Sequence, residues 1–251
     1  MDNLSSGMVE DFLKKGESIY LRHLSVDCVI FGFHENELKV LLLQLNEGPW
    51  CLAGGFVKKE ESIDDAAIRV LLERTGLKNI FLKQFHAFGE PNREKNKGKY
   101  RYASHGSWLM ERFVSIGYYA LVEFSKVDPR PDVFSKDCRW VDITSVPKLI
   151  FDHNLILTKA LESLRLSLND HPIGYNLLPE KFTMPELQRV YETILGTSLD
   201  RRNFQKKMLG MEILQRLKDR KTGGAHKAPY LYRFDKKKYE KAMKLGLKVG
   251  F

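Results

Sequence analysis

The segment that most narrows the choice of fold is GGFVKKEESIDDAAIRVLLERTGL, residues 54–77. Two glycines close the apolar run WCLAGGF, and the polar stretch VKKEES follows. Ile63, Ala66, Ala67, Val70 and Leu71 then recur at the spacing of one helix face. A helix is expected over Ser62–Arg74, ended by Gly76, since glycine readily takes the left-handed conformation that closes a helix. Neither a strand nor a one-sided apolar helix can bury its apolar surface alone, so further elements must pack around this unit.

The rest of the chain supplies them. VDCVIFGF and LKVLLLQL are apolar runs joined by the polar HENE, the pattern of a β-hairpin. IFLKQFHAF, FVSIGYYALVEF and CRWVDI are three more strands, and Asp152–Leu168 is a leucine-rich helix. Residues 9–22 precede the strands as a short amphipathic helix with Val9, Phe12 and Leu13 on one side. A polar stretch from Gly89 to Arg112 lacks periodicity, and loops of that length inside a domain are commonly functional. The resulting division is an N-terminal helix (1–22), an α/β domain (23–150), a connector helix (151–170) and a C-terminal domain (171–251).

Composition sharpens this division. The 251 residues carry a net charge of +9, with 43% hydrophobic and 29% charged residues, as in an ordinary globular protein. From His171 onward there are 18 Lys and Arg against 8 Asp and Glu, whereas residues 1–170 are nearly neutral. Positive charge gathered in one domain points to a polyanion partner. Apolar runs such as CVIFGF and YYALV are too short to cross a bilayer, so no membrane role is expected. No secretory leader is visible. Cys28, Cys51 and Cys138 are odd in number and lack metal-ligand spacing, which fits a reduced, cytoplasmic compartment.

Gly55, Glu61, Arg69, Leu71, Glu73, Gly76 and Leu77 stand at the unbroken spacing of the Nudix box, G-x5-E-x7-R-E-U-x-E-E-x-G-U, with U aliphatic. WCLAGGF resembles the strand that precedes it, with Ala53 where proline is usual. The resemblance, over about residues 25–150, implies a Nudix α/β/α sandwich. In active members the helix glutamates bind divalent cations, which neutralise charge in pyrophosphate cleavage. Here the three glutamate positions hold Val70, Glu73 and Arg74. Two like unit charges about 4 Å apart repel by roughly 4 kcal/mol at an effective dielectric near 20, so Arg74 opposes a metal there. Replacement ligands from Glu90, Glu94 or Glu111 need several coincidences. No catalytic residue, bound metal or cofactor is therefore expected, and Glu61 with Arg69 reads as a structural pair. A cleft without its catalyst still binds ligands, and Trp50, Phe56, Arg69, Glu73, Phe88, Glu90 and Arg93 are its candidate lining.

The C-terminal domain begins after the turn-rich NDHPIGYNLLPEKF. TMPE is a capping box, with Thr183 and Glu186 exchanging hydrogen bonds and Pro185 in the first turn. The helix LQRVYETIL buries Leu187, Val190, Tyr191 and Ile194 and stops at Gly196. Asp200 then caps a second helix, RRNFQKKML, whose core side holds Phe204, Met208 and Leu209. The strand-like YLYRF follows beyond KTGGAHKAP. This order resembles a winged helix-turn-helix, whose second helix enters the DNA major groove. Arg201, Arg202, Asn203, Gln205, Lys206 and Lys207 are the candidate DNA contacts on that helix, with Lys221, His226 and Lys227 on the wing. Arginine reads guanine and Asn or Gln reads adenine, while lysine holds phosphate.

The two halves together resemble the Nudix-related bacterial transcriptional regulators, as do the segments FGEPNR, SIGYYALV, FDHNLILTKALESL and LDRRNFQKKML. The resemblance implies a homodimer that binds double-stranded operator DNA and senses a small-molecule effector. One branch senses ADP-ribose-type nucleotides and another L-arabinose. The altered box favours the arabinose branch on this reading. An ADP-ribose-sensing regulator and an active pyrophosphatase on such nucleotides are the alternatives.

Overall fold

The computed structural model describes residues 3–46, 48–78, 80–93, 108–170, 172–221 and 228–245, of which Val26–Phe31 are buried at every position. Such a run belongs to a strand covered on both faces, and strand β1 (Tyr20–His34) lies inside a six-stranded sheet. Its fellow strands are β2 (Glu37–Leu45), β3 (Trp50–Lys58), β4 (Phe81–Phe88), β5 (Val114–Val122) and β6 (Ser135–Asp142), in the order β4-β5-β1-β3-β2-β6. The pairing of β3 with β1 sets Asp27 opposite Gly54 and Cys28 opposite Ala53. The expected HENE hairpin forms, and Glu35 and Asn36 both take positive φ, 51° and 64°. That pair of left-handed residues is what a two-residue hairpin turn requires.

Helix α2 (Ile63–Thr75) buries Ala66, Ala67, Val70 and Leu71. Its ends are built as the sequence implies. The Ser62 hydroxyl accepts the Asp65 N–H at 3.1 Å, and Gly76 closes the helix at φ 71°, donating to the Leu72 carbonyl. Val70 is 1% exposed and belongs to the main apolar core. A Cβ on Gly55 would come within 2.7 Å of the Val70 side chain. Gly55, the first glycine of the box, thus leaves the space into which Val70 packs.

Helix α1 (Asn3–Ile19) starts earlier than the sequence pattern implies, and β1 begins at Tyr20 rather than Val26. The polar YLRHLS conceals this start. Tyr20 pairs with Lys58, and an irregularity between Tyr20 and Ser25 breaks the alternation that would reveal a strand. Val9, Phe12 and Leu13 are half-buried, as their spacing suggests. Gly16 is buried, and a Cβ there would meet the Trp108 ring at 2.4 Å. Phe12, Tyr20, Phe56 and Phe134 pack on a cluster formed by Trp108, Leu109 and Phe113.

Two compact units are distinguished by their packing: Met1–Phe31 with Lys39–Ala160, and Gly32–Leu38 with Leu161–Phe251. Helix α3 (His153–Asp170) crosses the division, and the β1–β2 hairpin tip goes with the second unit. That unit contains β7 (Phe182–Thr183), α4 (Met184–Leu195), α5 (Arg201–Gly210), β8 (Leu214–Arg220), β9 (Tyr230–Phe234) and α6 (Lys236–Leu245). Its sheet runs β7-β9-β8. The capping box is complete: Glu186 N donates to the Thr183 hydroxyl, and Thr183 N donates to the Glu186 carboxylate at 2.7 Å. Leu187, Val190, Tyr191 and Ile194 are all buried, and Tyr191 meets Phe204 edge-on at 5.4 Å. The fold is a Nudix α/β/α sandwich followed by a winged helix. Among the described residues, no helix is long and apolar enough to cross a membrane.

Candidate functional site

The first unit holds a cavity of 1040 Å³, at the upper end of the usual range for small-molecule pockets. It has three chemically distinct sides. Phe12, Tyr20, Phe56, Phe113 and Phe134 form an aromatic wall, with the Phe12 and Phe134 rings 5.1 Å apart and edge-on. Asp27, Arg93 and His153 contribute a polar floor. The third side carries Arg69, Glu73, Arg74, Arg130 and Asp132.

The floor is a buried hydrogen-bonded network. Arg93 donates from Nε and Nη2 to the two Asp152 carboxylate oxygens, at 2.8 and 2.9 Å. Its Nη2 also lies 3.4 Å from Asp27 Oδ2, which accepts the Ser115 hydroxyl at 2.5 Å. The Leu52 N–H donates to His153 Nδ1 at 3.0 Å, so the neutral ring carries its proton on Nε2. That nitrogen faces Asp27 Oδ1 at 3.6 Å. A bidentate arginine pair with its lone pairs filled is a stable way to hold charge out of water.

On the helix side, Arg69 and Glu61 form the expected structural pair, with contacts at 3.0 and 2.7 Å. Arg69 Nη2 also donates to the Phe56 carbonyl at 2.8 Å, and Glu61 Oε1 accepts the Lys58 N–H at 2.8 Å. The Arg69 hydrogen bonds hold the Glu61 carboxyl below the usual range, outweighing the opposing effect of burial. Glu73 is shared between Arg69 and Arg74, each at 3.4 Å.

These residues do not fit a divalent metal. One expected ligand position, Val70, is packed into the apolar core. Another, Arg74, presents a guanidinium, and the remaining carboxylate, Glu73, already faces two arginines. Among the described residues, no three His, Cys, Asp or Glu side chains are grouped to hold an ion. Of the substitutes considered from the long loop, Glu111 faces His23 at 3.5 Å. Glu90 is exposed and away from the cavity lining, and Glu94 lies outside the described residues.

Of the candidate ligand contacts, Phe56, Arg69, Glu73 and Arg93 are brought together around the cavity, and Trp50, Phe88 and Glu90 are not. The Trp50 ring lies under the Arg139 guanidinium at 4.3 Å, toward the β6 edge of the sheet. Phe88 packs over Gly117, where a Cβ would come within 2.8 Å of its ring. Sequence pattern alone does not mark Asp27, Asp152, His153, Arg130, Phe12 of α1 or Tyr20 of β1 as site residues. One signal was available: Asp27 interrupts the apolar run VDCVIF, and buried carboxylates are rare without a partner.

In the winged helix, Arg201, Arg202, Asn203, Lys206 and Lys207 are exposed on α5, and Gln205 is half-exposed. Asp200 caps the helix by accepting the Asn203 N–H at 2.9 Å. Phe204 and Met208 face the core, but Leu209 is 40% exposed. It sits five residues past Phe204, well round the helix from the buried stripe. The Lys221 ammonium pairs with Glu186 of the capping box, tying the base of the wing to the start of α4. His226 and Lys227 lie outside the described residues.

Known proteins place both units. Residues 21–162 match the NUDIX domain, and residues 174–234 match the NrtR DNA-binding winged helix domain. Over 225 residues the chain is 30% identical to the ADPR responsive transcriptional repressor NtrR of Acinetobacter baylyi, covering 86% of this chain and 84% of that protein. The crystal structure of Shewanella oneidensis NrtR complexed with a 27mer DNA is 26% identical, with a TM-score of 0.71, over 87% of this chain and 96% of that one. The same protein without DNA gives a TM-score of 0.69 at 27% identity, over 85% and 94% of the two chains. With a Nudix sandwich, an exposed basic helix and this correspondence along both units, the chain belongs to the NrtR-type family of Nudix-fused winged-helix transcriptional regulators.

Proposed function

We propose that the protein is a transcriptional repressor that acts as a homodimer and releases its operator when an ADP-ribose-type nucleotide fills the Nudix cavity. The observation that carries the effector assignment is the pairing of an aromatic wall with a cationic side in one cavity. Lys58, Arg69, Arg74, Arg93 and Arg130 line it against Asp27, Glu73 and Asp132. A base or ribose face suits the aromatic wall, and a diphosphate suits the cationic excess. The similar Acinetobacter repressor is named as responsive to ADPR, which supports the same class of effector here. L-Arabinose, expected from the altered box, has no such support.

In this reading Phe56, Arg69, Glu73 and Arg93 contact the effector, while Arg201, Arg202, Asn203, Gln205, Lys206 and Lys207 face the operator. The effector acts only through its different affinity for the operator-bound and operator-free arrangements of the dimer. The cavity binds without cutting, because Val70 and Arg74 leave no carboxylate pair to hold a metal. Thermal denaturation with ADP-ribose or L-arabinose tests the assignment. At 100 times its dissociation constant, ADP-ribose should stabilise the protein by about 2.7 kcal/mol, with no turnover in the presence of magnesium. Stabilisation by arabinose alone, or rapid hydrolysis of ADP-ribose, refutes it.

A further inference from the structure

The Arg74 guanidinium is an unusual group to find at the edge of an apolar core. Arg74 is only 9% exposed, and its Nε is buried without a hydrogen-bond partner among the described residues. Its Nη2 stands 3.4 Å from Glu73 Oε2 and 3.8 Å from Asp132 Oδ2, the second beyond hydrogen-bond distance. Neither carboxylate is its own. Glu73 also faces Arg69, and Asp132 Oδ1 accepts the Phe134 N–H at 3.0 Å and the Ser135 hydroxyl at 2.7 Å. A guanidinium has five N–H donors in a planar fork, and burying it with donors unfilled is costly. The Arg74 Nη groups, held only by long contacts, are the ones that can donate to a ligand in the cavity.

The surroundings identify the ligand's charge. Arg74 lines the cavity together with Arg130, and the two segments are tied by the Arg130 N–H, which donates to the Arg74 carbonyl at 3.0 Å. Of the cations that line the cavity, Arg69, Arg93 and Arg130 are held by Glu61, Asp152 and Asp128 at 2.7–2.9 Å. Arg74 has only its longer contacts to Glu73 and Asp132, so it is the arginine left with most capacity for a further anion. The planar fork of arginine matches phosphate oxygens in pairs.

We propose that Arg74 binds a phosphate of the effector's diphosphate directly, as a fixed counter-charge, so that effector binding needs no divalent metal. This rests on the nucleotide reading of the cavity. A divalent cation bridges phosphates to carboxylates, whereas a guanidinium contacts the phosphate itself and is present at every metal concentration. The residue that spoils the metal position therefore supplies the charge that the metal would have brought.

Calorimetric titration of the full-length protein with ADP-ribose, in EDTA and in magnesium, tests the proposal. The dissociation constants in the two buffers should agree within about threefold. Arg74→Gln should weaken ADP-ribose binding about 10- to 100-fold, the range for losing a hydrogen-bonded charge, and Arg74→Lys should recover part of the loss. Adenosine, which lacks the diphosphate, should bind the wild type and Arg74→Gln alike. Melting curves and operator binding of each variant without ligand establish that it is folded. Magnesium-dependent binding by the wild type, or a folded Arg74→Gln variant with unchanged ADP-ribose affinity, overturns the proposal and leaves the nucleotide reading standing. Failure of the wild type to bind ADP-ribose in either buffer overturns the nucleotide reading itself, and this proposal with it.

Discussion

Glu61 and Arg69 show how one pair can outlast the chemistry around it. Glu61 takes three hydrogen bonds, two from Arg69 and one from the Lys58 backbone. They fix the loop between β3 and α2 whether or not a metal binds nearby. Because Arg69 depresses the folded-state pKa of Glu61, the pair contributes stability above the ordinary carboxylate pKa and loses it as pH falls through the depressed value. Glu61→Gln should therefore lower stability by about 1–2 kcal/mol at pH 7. The difference from wild type should close as the pH drops below about 4. Denaturant melts at both pH values measure it, and a difference unchanged by acid would assign the loss to packing rather than charge. Val70 and Gly55 teach a complementary lesson: where a carboxylate would face the cleft, a methyl fills the space above a glycine and joins the core.

At the scale of elements, local signals were readable wherever the determinants are close in sequence. Ser62, Gly76, the Thr183–Glu186 box and Asp200 place the ends of α2, α4 and α5 because caps act within one turn. The start of β1 was not readable, since its first residues are polar and irregularly paired. The cavity floor was equally hidden. Asp27, Arg93, Ser115 and the adjacent pair Asp152–His153 come from four distant parts of the sequence and meet only when β1, the segment after β4, β5 and the start of α3 come together. Helix α5 carries a prediction of its own. Its arginines are exposed at the N-terminal end, while Phe204 and Met208 anchor the opposite side. Arg201→Ala combined with Arg202→Ala should weaken operator binding about 100-fold or more, given 1–3 kcal/mol for each lost base contact. The melting temperature and its response to ADP-ribose should not change. Operator affinity that survives the double change would move the DNA-reading surface elsewhere.

For the molecule as a whole, the charge distribution and the cavity assign different tasks to the two units. The excess positive charge lies from His171 onward, in the unit that matches a DNA-binding winged helix domain, whereas the first unit holds the cavity. The fold was legible because the box spacing survives even where its chemistry does not. The effector class is not legible in the sequence, because a damaged metal site looks the same in one dimension whether its replacement arginine only repels a metal or also recruits a phosphate. The proposal for Arg74 takes the second reading, on its burial and its long contacts to Glu73 and Asp132. The most direct test is equilibrium binding of the full-length protein to its operator duplex at fixed salt, titrated in parallel with ADP-ribose and with L-arabinose. ADP-ribose should release the duplex in a saturable way at concentrations matching its calorimetric affinity, and arabinose should have no effect. Release by arabinose with indifference to ADP-ribose would contradict the account.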